Sequence, residues 1–267
     1  MNDAALATAL TGIRPELTRY LTRLLGHPDA ADDVVQSTYV QAHQALDRAP
    51  HDTDGMRRWL FRIASNLALD EIRRRKRWGR NGVLELREMA ENNQAFMERS
   101  AALIGTPEVA HLVREHVETC LGCVNRNLPA QQAAAVLLRE LHGFSVEQAA
   151  EILAARPTQV KNWIQTGRRK MQDRYAETCA LVTKGGMCHQ CSELSAFFRV
   201  PGPASVGISA GSLNERFDVT RALNEAPLGE WHRALLHLPE LTSQGPELTK
   251  ATSAGSKTMA SPRRPRT

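Results

Sequence analysis

Apolar residues return at helical spacing in several stretches of this chain, separated by polar or glycine- and proline-rich breaks. The clearest stretch is residues 30–46. There Ala31, Val34, Val35, Thr38, Tyr39, Ala42 and Leu46 fall on one stripe, while Asp32, Asp33, Gln36, Gln41 and Gln44 face elsewhere. Asp29, just after Pro28, is expected to cap this helix. Residues 47–55 break the pattern. A second helix is expected over about 56–77, with Trp59, Leu60, Ile63, Ala64, Leu67 and Ile72 on its apolar side. Residues 10–80 therefore read as one small helical domain. Residues 81–107 are polar and weakly patterned, end on Gly105-Thr106-Pro107, and read as a partly helical linker.

Residues 108–178 form a second helical block. Leu128-Pro129 opens a helix carrying Ala133, Val136, Leu137 and Leu141, and Gly143 ends it. Ser145 with Gln148 three residues on has the capping-box pattern, so a new helix starts there and covers 147–153. Pro157 suits the first turn of another, running to about Tyr175. Two helices joined by a few residues, the second rich in Lys, Arg, Asn and Gln, predict a helix-turn-helix. Residues 179–241 carry three cysteines and a Gly-, Pro- and Ser-rich stretch. Two amphipathic segments follow, around 213–223 and 231–241. Residues 242–267 are polar, end in PRRPRT, and are expected to be disordered. The fold class expected is all-α: two small helical domains joined by a linker, with a partly ordered C-terminal extension.

An aromatic content of 5% is low for a large β-sandwich and supports the helical reading. The net charge is only +5, but it is unevenly spread. Between residues 57 and 80 lie Arg57, Arg58, Arg62, Arg73, Arg74, Arg75, Lys76, Arg77 and Arg80, opposed only by Asp70 and Glu71. Such clustering suggests a polyanion partner, or else a solvated basic face. The first residues lack a cationic start followed by an apolar core, so no secretory signal is read, and no apolar run is long enough to span a bilayer. A cytoplasmic protein with no membrane partner is expected, and its five cysteines are expected to be reduced thiols or metal ligands.

In a recognition helix, polar side chains near the N-terminal end read base edges and cations further on hold phosphates. Thr158, Gln159, Lys161, Asn162 and Gln165 suit the first task, and Arg168, Arg169 and Lys170 the second. Opening a duplex needs cations for displaced phosphates and an aromatic platform for an unstacked base. Arg57, Arg58, Trp59 and Arg62 offer both, although Trp59 also fits simple core packing. Cys120-x-x-Cys123 and Cys188-x-x-Cys191 suit zinc or another soft divalent metal, with Cys179, which lies between them, as an alternative ligand; a thiol–disulfide switch and inert thiols are the alternatives. His116, one turn before Cys120, is a substitute ligand, and His189 is read as a bystander. No catalytic constellation stands out, so the chain is not expected to be an enzyme.

The run DAADDVVQSTYVQAHQAL resembles the polymerase-clamp-binding helix of extracytoplasmic-function (ECF) sigma factors, and MRRWLFRIASNLALDEIRRRKR their adjoining −10 segment. The run from Leu128 to Arg174 is similar to their region four, which reads the −35 element. The three stand in the family's order and cover about half the chain. The resemblance implies contacts of Asp32, Asp33, Gln36 and Tyr39 with core RNA polymerase, whose β′ clamp and β flap are the family's docking sites. It implies −10 recognition by the 49–54 loop with Trp59, Arg62 and Asn66 nearby, to which the basic run adds Arg58, Arg73 and Arg74 as expected DNA contacts. It places −35 recognition on Thr158, Gln159, Lys161, Asn162 and Gln165, with Arg168 and Arg169 on phosphates. An anti-sigma partner belongs to the same picture. The chain departs from the family where Ala154 replaces a turn glycine, Arg156 a serine cap, and Trp163 a basic residue. A stand-alone metal- or redox-responsive DNA-binding regulator, and a disulfide-exchange enzyme, remain as competing readings. The extension is expected to dock on region four or the linker and to gate binding.

Overall fold

In the computed structural model the described residues are 3–74, 82–106, 108–199 and 212–242. Twelve α-helices run through them: α1 (Asp3–Leu25), α2 (Pro28–Gln44), α3 (Thr53–Arg74), α4 (Gly82–Glu91), α5 (Gln94–Ala102), α6 (Val109–Arg126), α7 (Ala130–Glu140), α8 (Val146–Ile152), α9 (Pro157–Thr178), α10 (Gln190–Phe197), α11 (Leu213–Arg221) and α12 (Glu230–Thr242). Residues 75–81 and 243–267, which hold much of the basic run and the expected disordered tail, lie outside the described residues.

The capping box at Ser145 and Gln148 forms as expected and starts α8. The start of α2 differs. Its N-cap is His27, with Pro28 in the first turn and no side-chain cap. Proline fixes a helical φ and needs no donor at that position, so Pro28 sets the start and Asp29 falls inside the first turn. The linker is more ordered than its weak pattern implied, because α4 and α5 bury Leu86, Ala90 and Phe96 against Trp231 and Leu235 of α12. Burial by a segment distant in sequence, rather than local periodicity, makes them helical.

α1, α2 and α3 form the first domain, and α7, α8 and α9 the second. Their buried residues make one continuous core: Leu17, Tyr20, Leu60 and Phe61 join Leu137, Phe144, Ile152 and Val160. Tyr20, Phe61, His142 and Phe144 stack at the junction, with ring centroids 5.0–5.5 Å apart. α9 lies close on α7 at Gly167, where a Cβ would come within 2.7 Å of Val136. Ala154, between α8 and α9, adopts φ 48°, the left-handed region that glycine tolerates better.

Candidate nucleic-acid and polymerase interface

α9 starts at Pro157 with Arg156 as an N-cap that makes no side-chain cap bond. Val160, Ile164, Gly167, Met171 and Tyr175 are buried, which leaves Thr158, Gln159, Lys161, Asn162, Gln165 and Arg169 together on the solvent face. Trp163 is half-buried against the core. Arg168 is engaged differently. Its guanidinium reaches Glu140 at 2.7 Å and Asn214 at 2.7 Å, and lies 5.3 Å from the Phe217 ring centroid.

On α3, Arg62, Asn66, Arg73 and Arg74 are exposed, with Arg73 paired to Asp70 and Arg74 near Glu71. Trp59 is half-buried and packs on the core, so its ring is only partly available. Arg58 binds Asp54 and also reaches Glu151 on α8 at 3.0 Å. In the preceding loop, the Asp52 carboxyl accepts the Gly55 N–H at 2.7 Å, and that bond holds its pKa below the usual carboxylate value. On α2, Asp33 and Gln36 are exposed and Tyr39 is half-buried. Asp32 lies 3.5 Å from Arg233 of α12, and Asp29 lies 3.4 Å from His237.

Charged contacts that sequence reasoning missed join the two domains to the C-terminal extension. Arg19 donates to Glu118 at 2.6 Å and to Glu115 at 3.0 Å, and to the carbonyls of Ala226 and Pro227. Arg23 donates to Glu118 at 2.8 Å, Asn224 at 2.6 Å and the Thr220 carbonyl. Both arginines are 2% exposed, so nearly all their charge is met by protein. The only sequence signal was charged residues set one turn apart on two largely apolar helices. Burial alone would push the Glu115 carboxyl up, but hydrogen bonds from His232 and the Gly229 N–H, with Arg19 nearby, hold it at about 2. Arg57 ties α3 to the second domain by donating to the His142 carbonyl and lying 4.0 Å from the Phe144 centroid, and it also donates to Glu16 on α1. His142 Nε2 faces an Arg23 N–H at 3.3 Å and must accept it, so Nδ1 carries the proton and donates to Glu16 at 3.0 Å. Burial lowers the His142 pKa to about 4, so the pair is a neutral imidazole on a carboxylate.

All five cysteines are free thiols and line one cavity of about 40 Å³, with His116 and Tyr175, between α6, the end of α9 and α10. The set is wider than the four-cysteine grouping of two CxxC pairs, since Cys179 belongs to it. Among the described residues, no three His, Cys, Asp or Glu side chains are placed so that they could hold a metal ion. Burial pushes the Cys120 and Cys188 thiols up and the Cys191 thiol to about 11. Arg216 of α11, fully buried, brings Nη2 to 3.2 Å from the Cys179 sulfur.

Residues 11–78 match the sigma-70 region 2 family, and residues 119–171 match sigma-70 region 4. An ECF sigma-E factor of Haemophilus influenzae is 30% identical over 158 residues, covering 59% of this chain and 78% of that one. The chain belongs to the ECF sigma factors. The ECF sigma factor EcfG of Rhodopseudomonas palustris is 28% identical over 157 residues, with 59% and 77% covered. Among solved structures, the sigma factor RpoE, crystallised with the anti-sigma factor NepR from Bartonella quintana, aligns at 20% identity. That alignment has a TM-score of 0.38 and covers 64% of this chain and 94% of that one. As a sigma factor the chain directs promoter-specific initiation, with core RNA polymerase and promoter DNA as its partners. Region 2 is α1–α3 and region 4 ends within α9, so α10–α12 lie beyond both matched regions. Among the described residues no helix is long and apolar enough to cross a membrane.

Proposed function

We propose that this sigma factor is held shut by its own C-terminal extension, and that its cysteines set how readily it opens. One observation carries the reading: the extension engages both working surfaces at once. Arg233 meets Asp32 on α2, while Asn214 and Phe217 meet Arg168 on α9. In the open form, Asp32, Asp33, Gln36 and Tyr39 dock on the polymerase. Arg58, Trp59, Arg62, Asn66, Arg73 and Arg74 serve the −10 element. Thr158, Gln159, Lys161, Asn162, Gln165, Arg168 and Arg169 serve the −35 element. The chain acts by binding, and the polymerase supplies the chemistry.

A length argument supports closure as an inactive state. The two promoter elements lie about 25 base pairs apart, roughly 85 Å along the duplex. A compact chain of this size has a radius of gyration of about 18 Å, so its body is only about 50 Å across. Regions 2 and 4 sharing one core cannot reach both elements, and opening must break the contacts of Arg57 and Glu16 with His142. A separate anti-sigma factor would compete for the faces that α11 and α12 already cover.

For the cysteines, the proposed ligand is zinc or another soft divalent ion, since thiolates suit such ions. The support is the gathering of all five around one cavity. Ligation would require the thiols to move closer together, so binding would reshape the junction that carries α10.

Run-off transcription with core polymerase tests the gate. The full chain should initiate weakly, and a chain ending at Arg199 severalfold more strongly. Equal or weaker activity from the shortened chain, with its helical content intact, would refute the gate.

A further inference from the structure

Cys179 and Cys188 are brought together by backbone geometry that their sequence spacing does not reveal. Cys179 ends α9; the chain turns and returns, and Cys188 pairs with it in a one-residue parallel bridge. The Cys188 N–H donates to the Thr178 carbonyl at 2.8 Å, and the Ala180 N–H to the Cys188 carbonyl at 3.1 Å. Residues paired in this way project their side chains to the same side, and neighbouring strands lie about 4.8 Å apart. That separation falls inside the Cα–Cα range of disulfides, about 4.4–6.8 Å. The approach depends on glycine: Gly185 has φ 92°, and a Cβ on Gly186 would come within 2.6 Å of the Cys179 carbonyl carbon. Cys188 is half-buried whereas the other four cysteines are buried, so it is the thiol solvent reaches most easily. Arg216 donates from Nη2 to the Cys179 sulfur at 3.2 Å.

We propose that Cys179 and Cys188 form a thiol–disulfide pair oxidised by a peroxide, and that Arg216 couples its state to the C-terminal extension. Cys188, as thiolate, attacks one peroxide oxygen. The O–O bond breaks, a water leaves after protonation, and the sulfur becomes a sulfenic acid. The Cys179 thiol then attacks that sulfur and gives up its proton; the S–S bond forms and the second oxygen leaves as water. Two electrons and two protons pass from the thiols to the peroxide. Sensing disulfides of this transient kind are compatible with a reducing cytosol. The coupling rests on the gating reading above; the pairing does not. Forming the bond turns the Cys179 sulfur towards Cys188, and Arg216 loses the acceptor that now lies 3.2 Å from its Nη2 in a buried site. The same helix holds Asn214 and Phe217 on Arg168, so loosening α11 uncovers region 4.

The test treats the reduced full-length protein with hydrogen peroxide, blocks remaining thiols, and maps the linked peptides by mass spectrometry. Lys184 lies between the two cysteines, so trypsin separates their peptides unless the bond joins them, and fragmentation distinguishes Cys188 from Cys191. A Cys179–Cys188 link is expected, abolished by Cys188→Ser and kept by Cys123→Ser, with a severalfold rise in promoter run-off on oxidation. A link between other cysteines would overturn the pairing. So would protein that purifies with one zinc per chain and resists peroxide. A Cys179–Cys188 link without a rise in run-off would leave the pair standing and refute the coupling, whatever the chain ending at Arg199 does.

Discussion

Arg23, on the first helix of region 2, donates from Nε to Glu118 Oε1 at 2.8 Å in a site where Arg23 is 2% exposed. Glu118 also accepts from Arg19 at 2.6 Å, so one carboxylate meets two buried guanidinium groups. Removing one member of a buried ionic network leaves charge without compensation and costs about 3–5 kcal/mol. Glu118→Gln should therefore lower the unfolding free energy of the closed chain by about that amount, measured in denaturant. A loss below about 1 kcal/mol would mean the cluster behaves like a solvent-screened surface pair.

Acid should loosen the closed form. Burial lowers the His142 pKa from 6.5 to about 4, so the unfolded chain takes up a proton before the folded one does. Stability is fully present above about pH 6.5 and is lost as pH falls towards 4. His116, lowered to about 3 by burial and then by His232 and Arg216, acts in the same direction. Glu16 is a later contributor. Burial would raise its pKa, but bonds from His142 and Arg57 bring it to about 2, so its share is lost only below about pH 4.5. Unfolding curves between pH 7.5 and 4.5 should show this slope. His142→Gln should reduce it by up to one proton, about 1.4 kcal/mol per pH unit.

On the recognition helix, base-reading and phosphate-holding residues should separate by assay. Asn162→Ala should cost about 1–3 kcal/mol on the matching promoter and relax specificity there. Arg169→Ala should weaken binding evenly across sequences and reduce the salt slope by about one. Both side chains are exposed, so neither change should disturb folding. Gel-shift titrations at several salt concentrations, with matched and mismatched −35 sequences, distinguish the two effects.

Ala154 stands at φ 48° in the turn between α8 and α9. A left-handed conformation costs an L-residue with a Cβ about 1–2 kcal/mol. Ala154→Gly should recover about 1 kcal/mol, seen as a higher thermal midpoint with DNA binding unchanged.

Much of the fold was legible in the sequence because its signals are local. The stripe through Val34 and Val35, the Ser145–Gln148 box and Pro157 each mark helices that pack as patterned. The left-handed strain at Ala154 was legible too, as an alanine standing where the family has glycine. Capping at Asp29 was misread because Pro28 fixes the helix start two residues earlier, with His27 as the cap. What stayed hidden is long-range. α4 and α5 become helical by burying side chains under Trp231, more than a hundred residues away. The two CxxC spacings drew attention to four cysteines, whereas the bridge that pairs Cys179 with Cys188 depends on Gly185 and Gly186. The buried pairing of Arg19 and Arg23 with Glu115 and Glu118 is likewise long-range, since the carboxylates are brought to them from α6.

Small-angle X-ray scattering from the free chain tests closure most directly, with the full-length protein measured beside the chain ending at Arg199. The full-length protein should be compact, with a radius of gyration near the value of about 18 Å expected for a single body of this size. The shortened chain should be the larger of the two despite having fewer residues. A full-length chain that scatters as two separated bodies, or a shortened one that stays equally compact, would contradict a closed state held by the extension.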